Sequence, residues 1–349
     1  IRSISAWLKV FRAAKKRIKE PTDVDVIIQE LGTDRIGEIP HFGTYLRPTI
    51  GVVTAVAPEH MEYFHDIETV AREELSLANY SELALINRDD IDGVFAELMT
   101  NPSLDTYGTT NSAEYRFEID NFVMGEGYFG SIITPEFSAA IPASVNVAGE
   151  HVLRPVMAAV AIAVKFGMQP EGILQGMKAI RTVHGRMNML RGVELSTIID
   201  DSYNSSPRAA QSALRTLYSI DAPQRIALLG DMNELGESSQ AEHEVLGSLC
   251  DPDLLEWVVT VGEQSEKFLA PAAKARGCQV KSFRSSLAAG AFVHSVIQPH
   301  SIILAKGSEG GIFLEEGIKI FLHETHEDHE LVRQSEKWMK IKNSYFSNM

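Results

Sequence analysis

Apolar and polar positions along the chain form two kinds of pattern. After Pro21, the run Val24–Gln29 is apolar with little alternation, as in a strand buried on both faces, and ends in Glu30-Leu31-Gly32. Ile50–Val56 repeats the pattern and runs into Pro58-Glu59-His60. A helix with acids on one side is predicted over Ile67–Ala78, then a short strand at Leu83–Asn87. Residues from Ala113 to Ala143 alternate as strands and hairpins do, and Val152–Phe166 and Pro170–Ile180 read as helices.

From Arg191 the pattern becomes regular. Strands are predicted at Ser196–Ile199, Arg225–Leu229, Trp257–Val261, Gln279–Phe283 and Ser301–Ala305, each followed by a helical stretch. That alternation predicts an α/β fold with a doubly wound, mainly parallel sheet. The boundary falls near Thr182–His184, giving domains over 1–182 and 183–349. The charged tail beyond His323 is expected to pack as a terminal helix.

The first twenty residues hold seven basic side chains and one acid, with Ile4, Trp7, Leu8 and Phe11 at helical spacing. A transit-like segment, a membrane-surface helix and a core helix all fit this pattern. The absence of an initiator Met favours the core helix, in a domain whose beginning is missing.

Composition narrows the class. The 349 residues are 44% apolar and 23% charged, with 25 Gly and 14 Pro, as in a soluble globular protein. Acids outnumber bases 47 to 32, a net charge of -15, which argues against nucleic-acid or anionic-membrane binding. Cys250 and Cys278 are the only cysteines, too few for a disulfide framework, and they fit a cytoplasmic location. The longest apolar run, Val156–Val164, ends at Lys165 and is far short of a membrane span.

Two motifs invite chemistry and are set aside. Gly125-Glu126-Gly127-Tyr128-Phe129-Gly130 matches a dinucleotide fingerprint, but a strand follows where a helix is required, so a hairpin loop is expected. His323, His326 and His329 stand among acids at metal-like spacing, and are read as a solvated helix end.

Glu30 closing one strand and His60 just beyond another occupy the strand ends where open α/β sheets bind ligands. Together they suit a hard cation such as Mg²⁺. The run Glu30-Leu31-Gly32-Thr33-Asp34-Arg35-Ile36-Gly37-Glu38-Ile39 with Pro58-Glu59-His60-Met61-Glu62-Tyr63-Phe64 resembles the central domain of the Mur ligases. Asp200-Asp201-Ser202-Tyr203-Asn204-Ser205-Ser206-Pro207, Leu229-Gly230-Asp231-Met232-Asn233-Glu234-Leu235-Gly236 and Lys306-Gly307-Ser308 follow in family order. These last three resemble most the members that add D-alanyl-D-alanine to a UDP-N-acetylmuramoyl tripeptide.

The resemblance implies a central ATPase-type domain followed by a Rossmann-like C-terminal ligase domain, acting as a cytoplasmic monomer in peptidoglycan precursor synthesis. ATP would phosphorylate the carboxylate of a UDP-muramoyl peptide, and an amine would attack the acyl phosphate. By family position, Glu30 and His60 become Mg²⁺ ligands and Arg186 reaches the ATP phosphates. Asp201 meets the ribose, Tyr203 and Asn204 line the cleft, and Lys306 and Ser308 lie near the amine substrate. Asn233 and Glu234 belong to the substrate side of the same site.

Four departures stand out. No G-x-x-x-x-G-K-[ST] phosphate loop occurs, so the chain reads as a fragment that cannot complete catalysis alone. The family's carbamylated lysine, fourteen residues past the metal histidine, falls on Glu74, read as a built-in carboxylate with Glu73 as the fallback. The adenine motif G-x-H-N-x-x-N becomes Gly149-Glu150-His151-Val152-Leu153-Arg154-Pro155, which keeps His151 and loses both asparagines. Glu309 replaces a basic residue after Lys306-Gly307-Ser308, and could bind the incoming ammonium. The rivals are a family ligase with a folyl or other peptide acceptor, and a non-catalytic nucleotide-binding module.

Overall fold

The computed structural model describes residues 3–20, 24–58 and 61–347. Residues 1–33 form one unit and residues 34–349 another.

In the first unit, α1 (Ile4–Arg17) starts at Ser3, whose Oγ accepts the Ala6 amide at 3.2 Å, and ends on Lys15, Lys16 and Arg17, which suit the negative end of the helix dipole. None of its residues is buried, and Ile4 and Phe11 are 81% and 62% exposed. Its one apolar contact of note is the stacking of Trp7 on Phe11. The core-helix expectation therefore fails. The buried strand expected at Val24–Gln29 fails too: residues 24–33 contain no strand, and Ile27 and Ile28 are 80% and 90% exposed. A strand needs a neighbour to pair its backbone, and the described residues of this unit contain no other strand.

The second unit holds two six-stranded sheets. The first contains β1 (Ile50–Val53), β2 (Leu83–Asn87), β3 (Leu104–Gly108), β4 (Tyr115–Val123), β5 (Gly127–Ile133) and β6 (Ile141–Val145), in sequence order. Strands β1 to β4 are parallel, and β4, β5 and β6 are antiparallel. The glycine motif at 125–130 forms the β4–β5 hairpin as expected, with Gly125 and Gly127 at φ +80° and +92°.

Three helices precede or interleave the first strands: α2 (Glu38–Phe42), α3 (Met61–Phe64) and α4 (Ile67–Tyr80). α4 is capped by Asp66 Oδ1, which accepts the Thr69 amide at 2.7 Å. Its Val70, Ala71, Leu75 and Ala78 pack on Val53, Ala84 and Ile86. On the other sheet face, α5 (Leu153–Lys165) and α6 (Pro170–Ala179) bury Leu153, Met157, Ala161 and Met177 with Tyr107, Tyr115, Phe117 and Ile132.

The second sheet contains β7 (Asn188–Arg191), β8 (Thr197–Asp201), β9 (Arg225–Gly230), β10 (Trp257–Val261), β11 (Val280–Phe283) and β12 (Ile302–Lys306). Their order is β11-β10-β9-β12-β8-β7, all parallel except β7. Successive strand residues face opposite helix layers. Ile199, Leu229 and Leu304 meet α7 (Pro207–Ser219), α8 (Ser239–Ser248) and α9 (Ala270–Ala275). Ile198, Leu228 and Ile303 meet α10 (Ser286–Val296) and α11 (Leu314–Ile318). A terminal helix, α12 (Glu336–Phe346), follows.

Two strands escaped the pattern reading: β3, which is only partly apolar, and the antiparallel β7. Because β12 lies between β8 and β9, the chain leaves β8, skips a place and returns. The carboxyl ends of β8, β12 and β9 are therefore the switch point where an α/β sheet opens a binding crevice.

Candidate active site

Parallel pairing sets Lys306 directly opposite Asp201 at the ends of β12 and β8. Lys306 Nζ lies 2.8 Å from Asp201 Oδ2 and donates to the Asn204 carbonyl at 2.6 Å, with its side chain 2% exposed. Asp201 Oδ1 also accepts the Met187 amide at 3.2 Å. The Lys306 ammonium thus points at the loop after β8 and is engaged by protein groups, whereas the resemblance put it beside the amine substrate. A buried pair of this kind is retained only because each charge has further partners.

His151 sits within the field of this pair, which raises its proton affinity through Asp201 and lowers it through Lys306. Burial is the larger effect and pushes the imidazole down to about 4, so His151 is neutral at pH 7. Asp200, fully buried, faces the opposite side of β8. Burial pushes its carboxyl up to about 6, although Ser202 donates to it through both its amide and its hydroxyl.

Tyr203 is half-exposed, and its ring lies 4.3 Å from the Arg186 guanidinium carbon in a cation–π contact. Its amide donates to the Gly185 carbonyl at 3.0 Å. Gly185 has φ +68°, and a Cβ there would come within 2.6 Å of Val332 and 3.0 Å of the Tyr203 amide nitrogen, so only glycine fits. Asn204 is exposed next to it, with its carbonyl held by Lys306.

The loop after β9 is tied to the loop after β12. Ser308 Oγ donates to the Ser205 carbonyl at 3.0 Å and accepts the Asn233 amide at 2.9 Å. Asn233 Nδ2 donates to the Glu309 carbonyl at 2.7 Å. Glu234, in the left-handed region at φ +63°, is exposed in a loop that abuts α3 at Gly236, where a Cβ would stand 3.3 Å from Glu62 Cα. Glu309 is exposed and lines an open cavity of about 690 Å³ with Tyr203, His184, Arg333 and Trp338. Ten of the predicted residues, His151, Arg186, Asp201, Tyr203, Asn204, Asn233, Glu234, Lys306, Ser308 and Glu309, therefore lie around these strand ends or on the loops that follow them.

The predicted metal set is placed differently. Glu30 lies in the extended exposed segment of the first unit, not at the end of a buried strand. His60 lies outside the described residues. Glu74 is half-buried on α4. Its fallback, Glu73, is committed elsewhere: its two carboxylate oxygens accept the amides of Gly37 and Ile39, both at 2.7 Å, and so cap α2. Among the described residues no three His, Cys, Asp or Glu side chains converge as a cation site, the His323, His326 and His329 group included. These histidines instead pair with Glu324 and Glu330 on a 3₁₀ turn.

A second charge cluster was missed. Arg154 Nη1 bonds both Asp90 oxygens at 2.8 Å, and Arg208 Nη2, from α7, reaches Asp90 Oδ1 at 2.8 Å. Burial raises Asp89, but the bonds it accepts from Thr109 and Thr110 outweigh this and hold its carboxyl below the usual range. Two acids directly past the end of β2 were the available signal. Arg154, which lies inside the altered adenine motif between Val152 and Pro155, the positions of the two lost asparagines, is turned onto Asp90.

The family model "Mur ligase middle domain" matches residues 12–163, and "Mur ligase, glutamate ligase domain" matches residues 185–309. The UDP-N-acetylmuramoyl-tripeptide–D-alanyl-D-alanine ligase of Bacillus subtilis (strain 168) is 27% identical over 252 residues, 70% of this chain and 52% of that protein. The enzyme of the same name from Escherichia coli (strain K12) is 26% identical, over 70% of this chain and 54% of its own length. This chain thus spans about half the length of the curated relatives it matches. MurF from Acinetobacter baumannii superposes with a TM-score of 0.68 at 25% identity, covering 80% of this chain and 61% of that one. A MurF ligase from Thermotoga maritima, in complex with ADP, shares the fold at a TM-score of 0.71 and 19% identity, covering 86% and 66%. With two family models matched in order and neighbouring folds of the same kind, this chain belongs to the Mur ligase family.

Proposed function

We propose that this chain carries the nucleotide- and amine-binding part of an ATP-dependent amide ligase of peptidoglycan precursor synthesis, acting in the cytoplasm. The substrates are a UDP-N-acetylmuramoyl tripeptide and D-alanyl-D-alanine. The γ-phosphoryl group of ATP passes to the peptide carboxylate, giving ADP and an acyl phosphate. The amine then attacks the acyl carbon, inorganic phosphate leaves, and an amide forms. The observation that carries this reading is the buried Asp201–Lys306 pair at the switch point, with Tyr203 and Arg186 beside it. The relatives named for this reaction give the substrates.

On this reading the Arg186 guanidinium receives the phosphates and Tyr203 offers its ring edge to the nucleoside. Asp201 retains lone pairs for a ribose hydroxyl. Lys306 offsets the Asp201 charge and keeps the loop carbonyls turned away from the anionic ligand. His151, neutral, is an uncharged wall for the base. Glu309 receives the ammonium of the acceptor before it loses its proton.

Assignment of Glu30, His60 and Glu74 to Mg²⁺ rests on the resemblance in sequence. Among the described residues no cation site is assembled. No described helix is long and apolar enough to cross a membrane.

The test is ATP-dependent phosphate release by the intact gene product with Mg²⁺, UDP-muramoyl tripeptide and D-alanyl-D-alanine. Turnover supports the reading. Turnover with a different amine only would place specificity at Glu309. No turnover with any amine would favour a nucleotide-binding module.

A further inference from the structure

Four consecutive backbone carbonyls after β8 are each held by a side chain. Lys306 takes that of Asn204 at 2.6 Å, and Ser308 that of Ser205 at 3.0 Å. The other two belong to a residue far along the chain. Arg333 Nη2 donates to the Ser202 carbonyl at 2.8 Å, and Nη1 to the Tyr203 carbonyl at 3.0 Å.

The same guanidinium is fixed from behind. Its Nε and Nη2 bond the two oxygens of Glu315 at 2.9 and 2.7 Å, with the two side chains 4% and 0% exposed. Lys342, from α12, approaches Glu315 at 3.5 Å and bonds Glu316, but touches no carbonyl of the loop. Four of the five guanidinium N–H groups are thereby directed, two to the carboxylate and two to the loop, as the planar fork allows and an ammonium does not. Arg333 stands at φ +57°, a conformation that costs free energy in an arginine and is held by this network. It also lies beyond the residues that the C-terminal family model matches.

We infer that Arg333 is a positioning residue for the nucleotide site: it clamps the Ser202–Tyr203 backbone so that the Tyr203 ring is presented on Arg186. The inference rests on the proposed nucleotide role of that loop. Without the clamp, two carbonyls at the mouth of the cleft are free to turn, and the Tyr203 backbone is held by its amide bond to Gly185 while the ring keeps its contact with Arg186.

The experiment measures equilibrium binding of ADP and the unfolding midpoint for the intact gene product and three variants. Arg333→Met should weaken ADP binding about tenfold or more, as expected for loss of charge-assisted bonds to the loop. Arg333→Lys keeps a charge for Glu315 but not the fork, so it should fold and still bind at least several-fold more weakly. Lys342→Met shares the same carboxylates without reaching the loop, so it should lower the unfolding midpoint and leave ADP affinity within twofold. Added guanidinium ion should restore part of the affinity of Arg333→Met only.

Wild-type affinity in both Arg333 variants would overturn the inference. So would equal weakening in Lys342→Met, since the effect would then be general destabilisation. If the wild type itself fails to bind ADP, the reading of the loop as a nucleotide site falls, and the clamp's role with it.

Discussion

Lys306 and Asp201 face one another across adjacent parallel strands, 2.8 Å apart and both buried, at the point where the sheet opens. Removing one member leaves a charge in a site without water to solvate it. Lys306→Met should therefore destabilise the fold by about 3–5 kcal/mol, and Asp201→Asn by a similar amount. The double variant should recover much of that loss. Urea unfolding of the four proteins gives the coupling, and strict additivity would mean that the two charges do not depend on each other.

Glu73 and Glu74 are neighbours with different expected phenotypes. Glu73→Ala removes the acceptor for two helix-start amides and should cost about 1–3 kcal/mol of stability. Glu74→Ala, at a half-buried position, should change stability less and abolish Mg²⁺-dependent turnover, if Glu74 replaces the bridging carbamate. Thermal unfolding and phosphate release on both variants separate the roles. Full activity in Glu74→Ala would falsify the built-in carboxylate.

Two groups, the half-buried His151 and the buried Asp200, are shifted in opposite directions near the site. The folded His151 is pushed down to about 4, below its unfolded value, so its contribution is present above about pH 6.5 and lost as the pH falls toward 4. The folded Asp200 is pushed up to about 6, so its contribution is present below about pH 4 and lost as the pH rises toward 6. Each is of order 3 kcal/mol and they largely cancel in the wild type. Asp200→Asn should gain up to roughly 3 kcal/mol relative to wild type between pH 4 and 6. A constant difference across that range would show that Asp200 titrates normally.

Gly185 is the backbone partner of Tyr203 and stands at φ +68° against Val332. Gly185→Ala should cost about 1–3 kcal/mol and weaken nucleotide binding as the Tyr203 loop is pushed aside. Gly167, also at φ +81° but with open space around it, supplies the control. Its alanine variant should show the backbone cost of about 1 kcal/mol without a change in nucleotide affinity. Equal losses of affinity at both positions would rule out the steric account.

Arg208 carries a contact from α7 to the acids after β2 and so joins the second sheet to the first. Its side chain is 41% exposed, and that of Arg154 is 21%. Arg208→Ala should therefore cost less than Arg154→Ala, about 1 kcal/mol against about 2–3. Denaturant titration that ranks them the other way would assign the main load to the link between sheets.

Much of this protein was legible from local pattern. The parallel strands of the second sheet are apolar runs punctuated by helices, because both of their faces are buried. Asp201 and Lys306 close two of them and Asp231 follows a third, at the carboxyl ends where a parallel sheet opens its crevice. The hairpin at Gly125–Gly130 was likewise decided by the strand that follows it. These features depend on neighbours in sequence, and sequence displays them.

Other features depend on what a segment packs against. Val24–Gln29 has the composition of a buried strand and is exposed, because burial needs a partner that the described residues of its unit do not contain. Glu73 and Glu74 look interchangeable on a helical wheel, and only the approach of Gly37 and Ile39 singles out one as a cap. Lys306 was placed beside a substrate by motif, while its register opposite Asp201 makes it the holder of a loop. Arg333 has no local signal at all: 130 residues separate it from the Tyr203 carbonyl it holds. The motifs established which residues gather at the strand ends. Which of them brace a loop and which cap a helix was decided by tertiary distances, because a charged group's role is set by the partners that replace its water.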